Sequence, residues 1–167
     1  MRQRIWQAVG LAAALAAATA CGPSVDLTKI VVADTMTGWY DAGIKDGLNK
    51  LVPSVSFRLK NDGTVPATEV VLSVVFWRDG DDGEWDGKEV RGLGSAPLQP
   101  GASSEPILVR AETGYTIEQP RSELFSHSMF RDVTARVIAK RDGKNVRIAE
   151  IKIERRIIPR LAADAGR

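Results

Sequence analysis

The sequence predicts an all-β protein in which two antiparallel sheets, together about seven strands, pack face to face and carry two long loops. No segment keeps the 3.6-residue apolar period of an amphipathic helix, whereas several alternate apolar and polar residues or contain short β-branched runs. Turn residues separate these segments at fairly regular spacing, which is typical of a sandwich whose strands each bury one face.

The first half of the chain contains three predicted strands. The first, residues 27–35, is rich in β-branched side chains, and the second, residues 53–60, alternates apolar and polar positions before the turn Asn61-Asp62-Gly63. The third, residues 69–78, is the most apolar stretch of the chain after the N-terminus. Because it carries apolar residues on both faces, we expect it to lie in the middle of a sheet or to be covered by a loop.

The second half adds four predicted strands, residues 88–93, 106–112, 131–140 and 145–158. Residues 141–144 are a strong hairpin turn between the last two. The apolar positions of the final strand change phase between Ile148 and Ile151, which predicts a β-bulge. The seven strands together indicate an immunoglobulin-like sandwich over residues 28–158, followed by a flexible tail at 159–167.

The first 20 residues have the layout of a secretory signal peptide. Two arginines precede an apolar run of about 13 residues, which is shorter than the roughly 20 needed to span a bilayer. The run ends at Ala18-Thr19-Ala20-Cys21, which resembles the lipobox of bacterial lipoproteins. That resemblance implies that Cys21 becomes the lipidated first residue and that residues 21–27 form a short tether. Gly22 stands where an Asp favours retention at the inner membrane, so we expect an outer-membrane anchor facing the periplasm.

Composition excludes several functional classes. Removing residues 1–20 takes away two arginines and no acid, which leaves 147 residues with 21 basic and 21 acidic side chains. Nucleic-acid binding needs a surplus of Lys and Arg, so we do not expect it. Cys21 is the sole cysteine and His127 the sole histidine, which argues against a disulfide framework, a Cys/His metal site and a bound cofactor. Serines beside His127 do not make a nucleophile–base pair, so we expect no enzyme.

Part of the chain resembles known modules. The run Phe57-Arg58-Leu59-Lys60-Asn61-Asp62-Gly63, then Ala67 and a Val-rich strand ending in Phe76-Trp77, looks like the second and third strands of FxLYD-type and CARDB-type domains. Leu98-Gln99-Pro100-Gly101 is similar to their turn before the next strand. The likeness covers residues 53–112. It implies an immunoglobulin-like fold common in bacterial exported proteins, and these families have no catalytic residues to carry over.

Two predicted connections, residues 37–52 and 113–130, are longer than most loops, and long loops on a rigid scaffold often bind a partner. Aromatic and arginine side chains are favoured at protein interfaces, and the possible partner-binding residues are Trp39, Tyr40, Tyr115, Arg121 and Phe125. The alternative is that these rings only close the open ends of the sandwich. Pro120 suits the first position of a short helix within the second loop.

Two charged segments are further candidates. An acidic turn offers oxygen ligands for Ca²⁺ from Asp79, Asp81 and Asp82, although the spacing departs from the EF-hand pattern and a solvated hairpin is the alternative. The basic end of the last strand suits anionic lipid head groups, or alternatively protects a strand edge; its residues are Lys152, Arg155, Arg156 and Arg160.

These observations lead to one expected function and one alternative. We expect a lipid-anchored envelope protein that acts as a non-enzymatic binding or assembly module for another envelope protein. The alternative is a periplasmic carrier or receptor of a lipid, glycan or small ligand, which requires a sizeable apolar pocket.

Overall fold

The computed structural model describes residues 24–159. Within that range the chain forms nine β-strands and two short 3₁₀ helices, and the strands make two sheets that pack as a sandwich. The predicted all-β sandwich is therefore confirmed. The expected signal peptide, the lipobox with Cys21 and residues 160–167 of the expected tail lie outside the described residues.

The strands in chain order are β1 (Ile30–Lys45), β2 (Leu48–Asn61), β3 (Val71–Arg78), β4 (Asp86–Arg91), β5 (Ile107–Arg110), β6 (Tyr115–Ile117), β7 (Val133–Arg141), β8 (Lys144–Lys152) and β9 (Ile157–Ile158). The first 3₁₀ helix, Leu27–Lys29, precedes β1, and Asp26 caps it by accepting a hydrogen bond from the Thr28 amide at 3.0 Å. The second, Arg121–Ser126, follows β6; the predicted short helix is present, but Pro120 is the residue before its first position and not the first position itself.

The five-stranded sheet has the order β5-β2-β1-β9, and β6 pairs with β2 beyond the end of β5. The predicted loop at residues 37–52 is wrong, because this segment is the far half of the long β1–β2 hairpin. Asp46 and Gly47, both with positive φ, form its two-residue turn. Register shifts at Ala33/Met36 and Asp41/Gly43 interrupt the alternation from which a strand is recognised in sequence.

The four-stranded sheet has the order β4-β3-β7-β8, so β3 is central as expected. The predicted bulge in the last strand is confirmed: Val137 pairs with Ala149 and Ile138 pairs with Arg147, which leaves Ile148 as the extra residue. The predicted strand 145–158 is two strands, however. The chain leaves β8, crosses to the other sheet over residues 153–156, and forms β9 parallel to β1.

The core lies between the inner faces of the two sheets. Alternate residues of the central strands contribute fully buried side chains, among them Phe57, Leu59, Leu72, Phe76 and Val137. Burial of such side chains is the main favourable term in folding, worth about 1.5–3 kcal/mol each. The alternation read from the sequence therefore identified the inward faces of β2, β3 and β7.

Polar contacts join the two sheets at two places. The hydroxyl of Thr37 on β1 accepts a hydrogen bond from the Glu154 amide at 3.0 Å, and the Trp39 amide donates to the Arg156 carbonyl at 2.7 Å. Elsewhere the carboxylate of Asp86 on β4 accepts from the amides of Glu112 and Thr113 at 2.7 and 2.6 Å. We call these two sets of contacts the Thr37 clamp and the Asp86 clamp. Both satisfy main-chain N–H groups that would otherwise need another hydrogen-bond partner.

Candidate binding surfaces

Five aromatic rings pack together at one end of the sandwich, and we call them the aromatic cluster: Trp39, Trp85, Tyr115, Phe125 and Phe130. Trp39 is the centre, with its ring centroid 5.3 Å from that of Phe130 and 5.5 Å from that of Tyr115. The rings meet in tilted and edge-to-face arrangements, which are the favoured geometries for aromatic pairs. Sequence analysis missed Trp85, because it lies beside the acidic turn rather than in a predicted loop.

The aromatic cluster is mainly interior packing. The Trp39 side chain is 0% exposed, so its ring offers no surface to a partner, and that expectation is corrected. Arg78 and Arg155 cover the rim, with guanidinium carbons 5.2 Å from the Trp85 ring centroid and 5.3 Å from that of Phe130. The rings thus close this end of the sandwich, in line with the alternative interpretation, and Phe125 and Tyr115 remain partly accessible.

The other two expected partner-binding residues lie elsewhere. Tyr40 follows Trp39 in β1 and so faces away from the core, where the Arg110 guanidinium lies 3.6 Å from its ring centroid. Tyr40 is nevertheless only 7% exposed. Arg121 forms an ion pair with Asp41 at 2.8 Å, which ties the second 3₁₀ helix to β1. The five residues therefore do not form one surface.

The outer face of the five-stranded sheet carries an exposed apolar feature. Met36, Ser56 and Leu108 pair across β1, β2 and β5, and we call them the apolar row. Met36 is 61% exposed and Leu108 51% exposed. Because neighbouring strands are about 4.8 Å apart, the Cα atoms of Met36 and Leu108 lie roughly 10 Å from one another. The bulge before Met36 sets it on the outer face, which is why the alternation in the sequence did not reveal this row.

The outer face of the four-stranded sheet is basic, and we call it the basic face. Strand register places five bases and two acids on it: Arg91, Arg136, Lys140, Arg147 and Lys152 with Glu89 and Glu150. Trp77 lies on the same face, and the Arg136 guanidinium stacks 4.3 Å from its ring centroid. Arginine stacking of this kind is a cation–π contact.

The basic end predicted for the last strand is engaged by the protein itself. Lys152 and Arg155 share the carboxylate of Asp132 at 3.2 and 2.8 Å, and Arg156 donates to the Thr37 carbonyl at 2.6 Å. Hydrogen bonds from Arg155, and secondarily from Lys152, outweigh partial burial and hold the pKa of Asp132 below its ordinary value. These residues fix the crossing segment, and Arg160 lies outside the described residues.

The acidic turn and the histidine each have local partners. Asp81 accepts two hydrogen bonds from Arg78 at 2.9 and 3.1 Å, and among residues 24–159 no three acidic, His or Cys side chains group as metal ligands. The calcium candidate with Asp79 and Asp82 therefore gains no support from the geometry. The His127 Nδ1 atom accepts a hydrogen bond from the Met129 amide at 3.2 Å, which stabilises the turn after the second 3₁₀ helix.

The cavities of the described chain are surface depressions. A volume of 640 Å³ lies between the start of the described chain and the turn 61–65, lined by residues such as Asp26, Lys29 and Asn61. The others measure 280 to 380 Å³ and border on turns and strand ends. A carrier site is normally a largely apolar pocket that encloses its ligand. Depressions that open to solvent beside turns and strand ends do not favour the carrier alternative.

Comparisons with known proteins do not assign a family. No family model and no curated protein matches this sequence. The crystal structure of a putative β-galactosidase from Bacteroides fragilis is similar over 71% of this chain, with 15% identity and a TM-score of 0.43. The chain spans only 15% of that protein's length, and the likeness carries no argument about activity. Between residues 24 and 159, no helix has the length and apolar character needed to cross a bilayer.

Proposed function

We propose that this protein is a lipid-anchored, non-enzymatic binding module of the bacterial envelope, and that it docks another envelope protein on the apolar row. The anchor is Cys21 in the lipobox-like run Ala18-Thr19-Ala20-Cys21, and its acyl chains hold the sandwich at the membrane. The binding role rests on Met36 and Leu108, two large apolar side chains more than half exposed in one row of a sheet face.

The surroundings of the apolar row suit a protein partner. Between Met36 and Leu108 stands the small, partly exposed side chain of Ser56. A small residue between two exposed apolar side chains leaves room for an apolar side chain of a partner. Ion pairs at the membrane-proximal border, Arg58 with Asp34 and Lys60 with Asp62, supply the polar rim that interfaces usually have.

Charged residues elsewhere are used to hold the fold. Asp86 and Asp132 each bind groups from another segment, and Arg121 secures the second 3₁₀ helix. Recognition is therefore assigned to the apolar row, and stability to these charged contacts. No catalytic step is assigned to the protein.

Site-specific photo-crosslinking in intact cells tests the docking surface. A photoreactive residue in place of Met36 or Leu108 is expected to give a covalent adduct of the same mass from both positions. The adduct at position 108 should disappear when Met36 is changed to Lys, because a docked partner would have to bury the charge of the new lysine, which costs free energy. Ile44, which is 72% exposed at the hairpin tip, is the matched control position and should give no such adduct.

The anchor has its own test. Changing Cys21 to Ser should move the protein from the membrane fraction to the soluble periplasmic fraction. Adducts that form equally from positions 36, 108 and 44, or that survive Met36→Lys, would contradict docking on the apolar row. Retention of the Cys21→Ser variant in membranes, with its leader removed, would contradict the anchor and leave the crosslinking result standing.

A further inference from the structure

We infer that the basic face of the four-stranded sheet binds the surface of an anionic phospholipid bilayer, so that the sandwich lies with this sheet towards the membrane. The inference goes beyond the proposed function, because it concerns the opposite face from the apolar row. It needs only that the protein reside at a membrane. Charge segregation, the sharing of ion pairs and the position of the start of the fold support it.

Charge is distributed unevenly over residues 21–167, which have no net charge. The mature sequence has equal numbers of basic and acidic side chains, but the basic face has five bases and two acids. A neutral protein is drawn to an anionic surface only through a face where positive charge is concentrated. Clusters of Lys and Arg beside a membrane bind acidic lipids in this way.

The acids on this face do not neutralise it. Glu150 is shared between Arg136 at 3.3 Å and Arg147 at 3.2 Å, so one carboxylate serves two guanidinium groups. Glu89 pairs with Lys140, whereas Arg91 is exposed and forms no ion pair within residues 24–159. Lys152 is paired with Asp132 beside the face, so the surplus of positive charge comes from Arg91 and from the sharing of Glu150 between two arginines.

Apolar side chains accompany the cations. Val71 is 41% exposed on this face, and Trp77 is partly exposed beneath Arg136. Tryptophan is enriched where proteins meet the interface of a bilayer, because its ring is apolar and its N–H is polar. The combination of cations with a Trp and a Val distinguishes this face from one that is merely solvated.

The start of the fold lies beside the same sheet. The first 3₁₀ helix, Leu27–Lys29, packs against β7 and β8, and the buried side chain of Leu27 joins the core there. Residues 21–25 reach at most about 17 Å when extended. An anchor at Cys21 therefore holds one end of the basic face close to the bilayer. The face then stays within reach of the head groups and does not have to find them by diffusion from solution.

Vesicle binding of the unlipidated chain tests the inference. Every strand and every core residue described lies between Leu27 and Ile158, so a protein of residues 22–167 retains the whole sandwich. It should co-sediment with phosphatidylglycerol vesicles at low salt and not with phosphatidylcholine vesicles. The Arg91→Gln/Arg147→Gln variant should lose roughly 10- to 30-fold in partitioning, since each charge near an anionic surface counts for about fivefold. Glu150→Gln should raise partitioning by about fivefold.

A matched control separates the face from the total charge. Lys45→Gln/Lys50→Gln removes two positive charges from the five-stranded sheet, outside the basic face, and should bind like the parent, with circular dichroism confirming that all variants are folded. Equal losses in both double variants, or no binding of the parent to phosphatidylglycerol, would overturn the inference. Binding to poly-glutamate but not to vesicles would assign the face to an acidic protein partner and would likewise overturn it. None of these outcomes depends on lipidation or on the apolar row.

Discussion

The two outer faces of the sandwich are built on a similar pairing but differ in burial. Each has an aromatic ring beneath an arginine, Tyr40 under Arg110 on the five-stranded sheet and Trp77 under Arg136 on the four-stranded sheet. Tyr40 is 7% exposed, whereas Trp77 is only partly buried. An aromatic ring beneath an arginine is thus closely packed on one outer face and partly solvated on the other.

β9 contributes to this difference, because it pairs with β1 and places Ile158 beside Tyr40 and Gly38 on the outer face of the five-stranded sheet. Val52 and Ser54, which pair with Tyr40 and Gly38, are 4% and 2% exposed. This part of the outer face is therefore packed, whereas the apolar row is exposed. The four-stranded sheet has no such cover among the described residues, and ion pairs organise its surface instead.

Truncating the two matched rings should give the largest difference between the faces. Tyr40→Ala removes a buried ring and should lower the free energy of unfolding by about 3 kcal/mol, as for other large-to-Ala changes in packed sites. Trp77→Ala should lower it by about 1 kcal/mol, because part of the ring already contacts water. Urea denaturation followed by circular dichroism measures both. Equal losses would show that the two outer faces do not differ in packing.

Two glycines sharpen the same comparison. A Cβ at Gly38 would come within 2.9 Å of Ile158 Cγ1 and 3.0 Å of the Arg156 carbonyl, so Gly38→Ala should cost about 2 kcal/mol through crowding of β9. At Gly87, on the basic face, the nearest atom would be 3.8 Å away. Gly87→Ala should therefore change the free energy of unfolding by less than about 0.5 kcal/mol. A neutral Gly38→Ala variant would contradict close packing of β9.

The clamp at Asp86 should make the junction of the two sheets sensitive to acid. Partial burial alone raises the pKa of Asp86, but hydrogen bonds from the Thr113, Glu112 and Gly87 amides outweigh it and leave the pKa below its ordinary value. The folded chain then binds fewer protons than the unfolded chain near pH 4. The stabilisation is present above that pH and is lost as the pH falls through the folded-state pKa.

Asp86→Asn tests that clamp. The amide keeps one acceptor oxygen but loses the charge, so the variant should be about 1 kcal/mol less stable at pH 7. Its free energy of unfolding should also fall less between pH 5 and pH 2 than that of the parent. Asp34→Asn is a matched control, because Asp34 is exposed and its ion pair with Arg58 is 3.7 Å long. If the free energy of unfolding of the two variants has the same pH dependence, the Asp86 carboxylate does not contribute to the acid sensitivity of the fold.

The features that could be predicted from the sequence are those that follow from local alternation of apolar and polar residues. Regular period-two patterns located β2, β3 and β7 and their inward faces, and the phase change near Ile148 located the bulge in β8. Sequence analysis missed the strand character of residues 37–52, because glycines and two register shifts disrupt the pattern in β1. It also missed the apolar row, which depends on the pairing of Met36 with Ser56 and of Ser56 with Leu108 on a third strand. Such contacts follow from topology, which local pattern does not contain.

Removing the shared acid from the basic face should give the smallest change in stability. Glu150 is half exposed and pairs with Arg136 and Arg147 in solvent, where an ion pair contributes about 0–1 kcal/mol. Glu150→Gln should therefore alter the free energy of unfolding by less than about 0.5 kcal/mol, and the change should vanish in 1 M salt. A loss above about 2 kcal/mol would mean that this carboxylate holds the arginines as structural parts of the sheet, and the contrast between a packed face and a solvated one would then no longer hold.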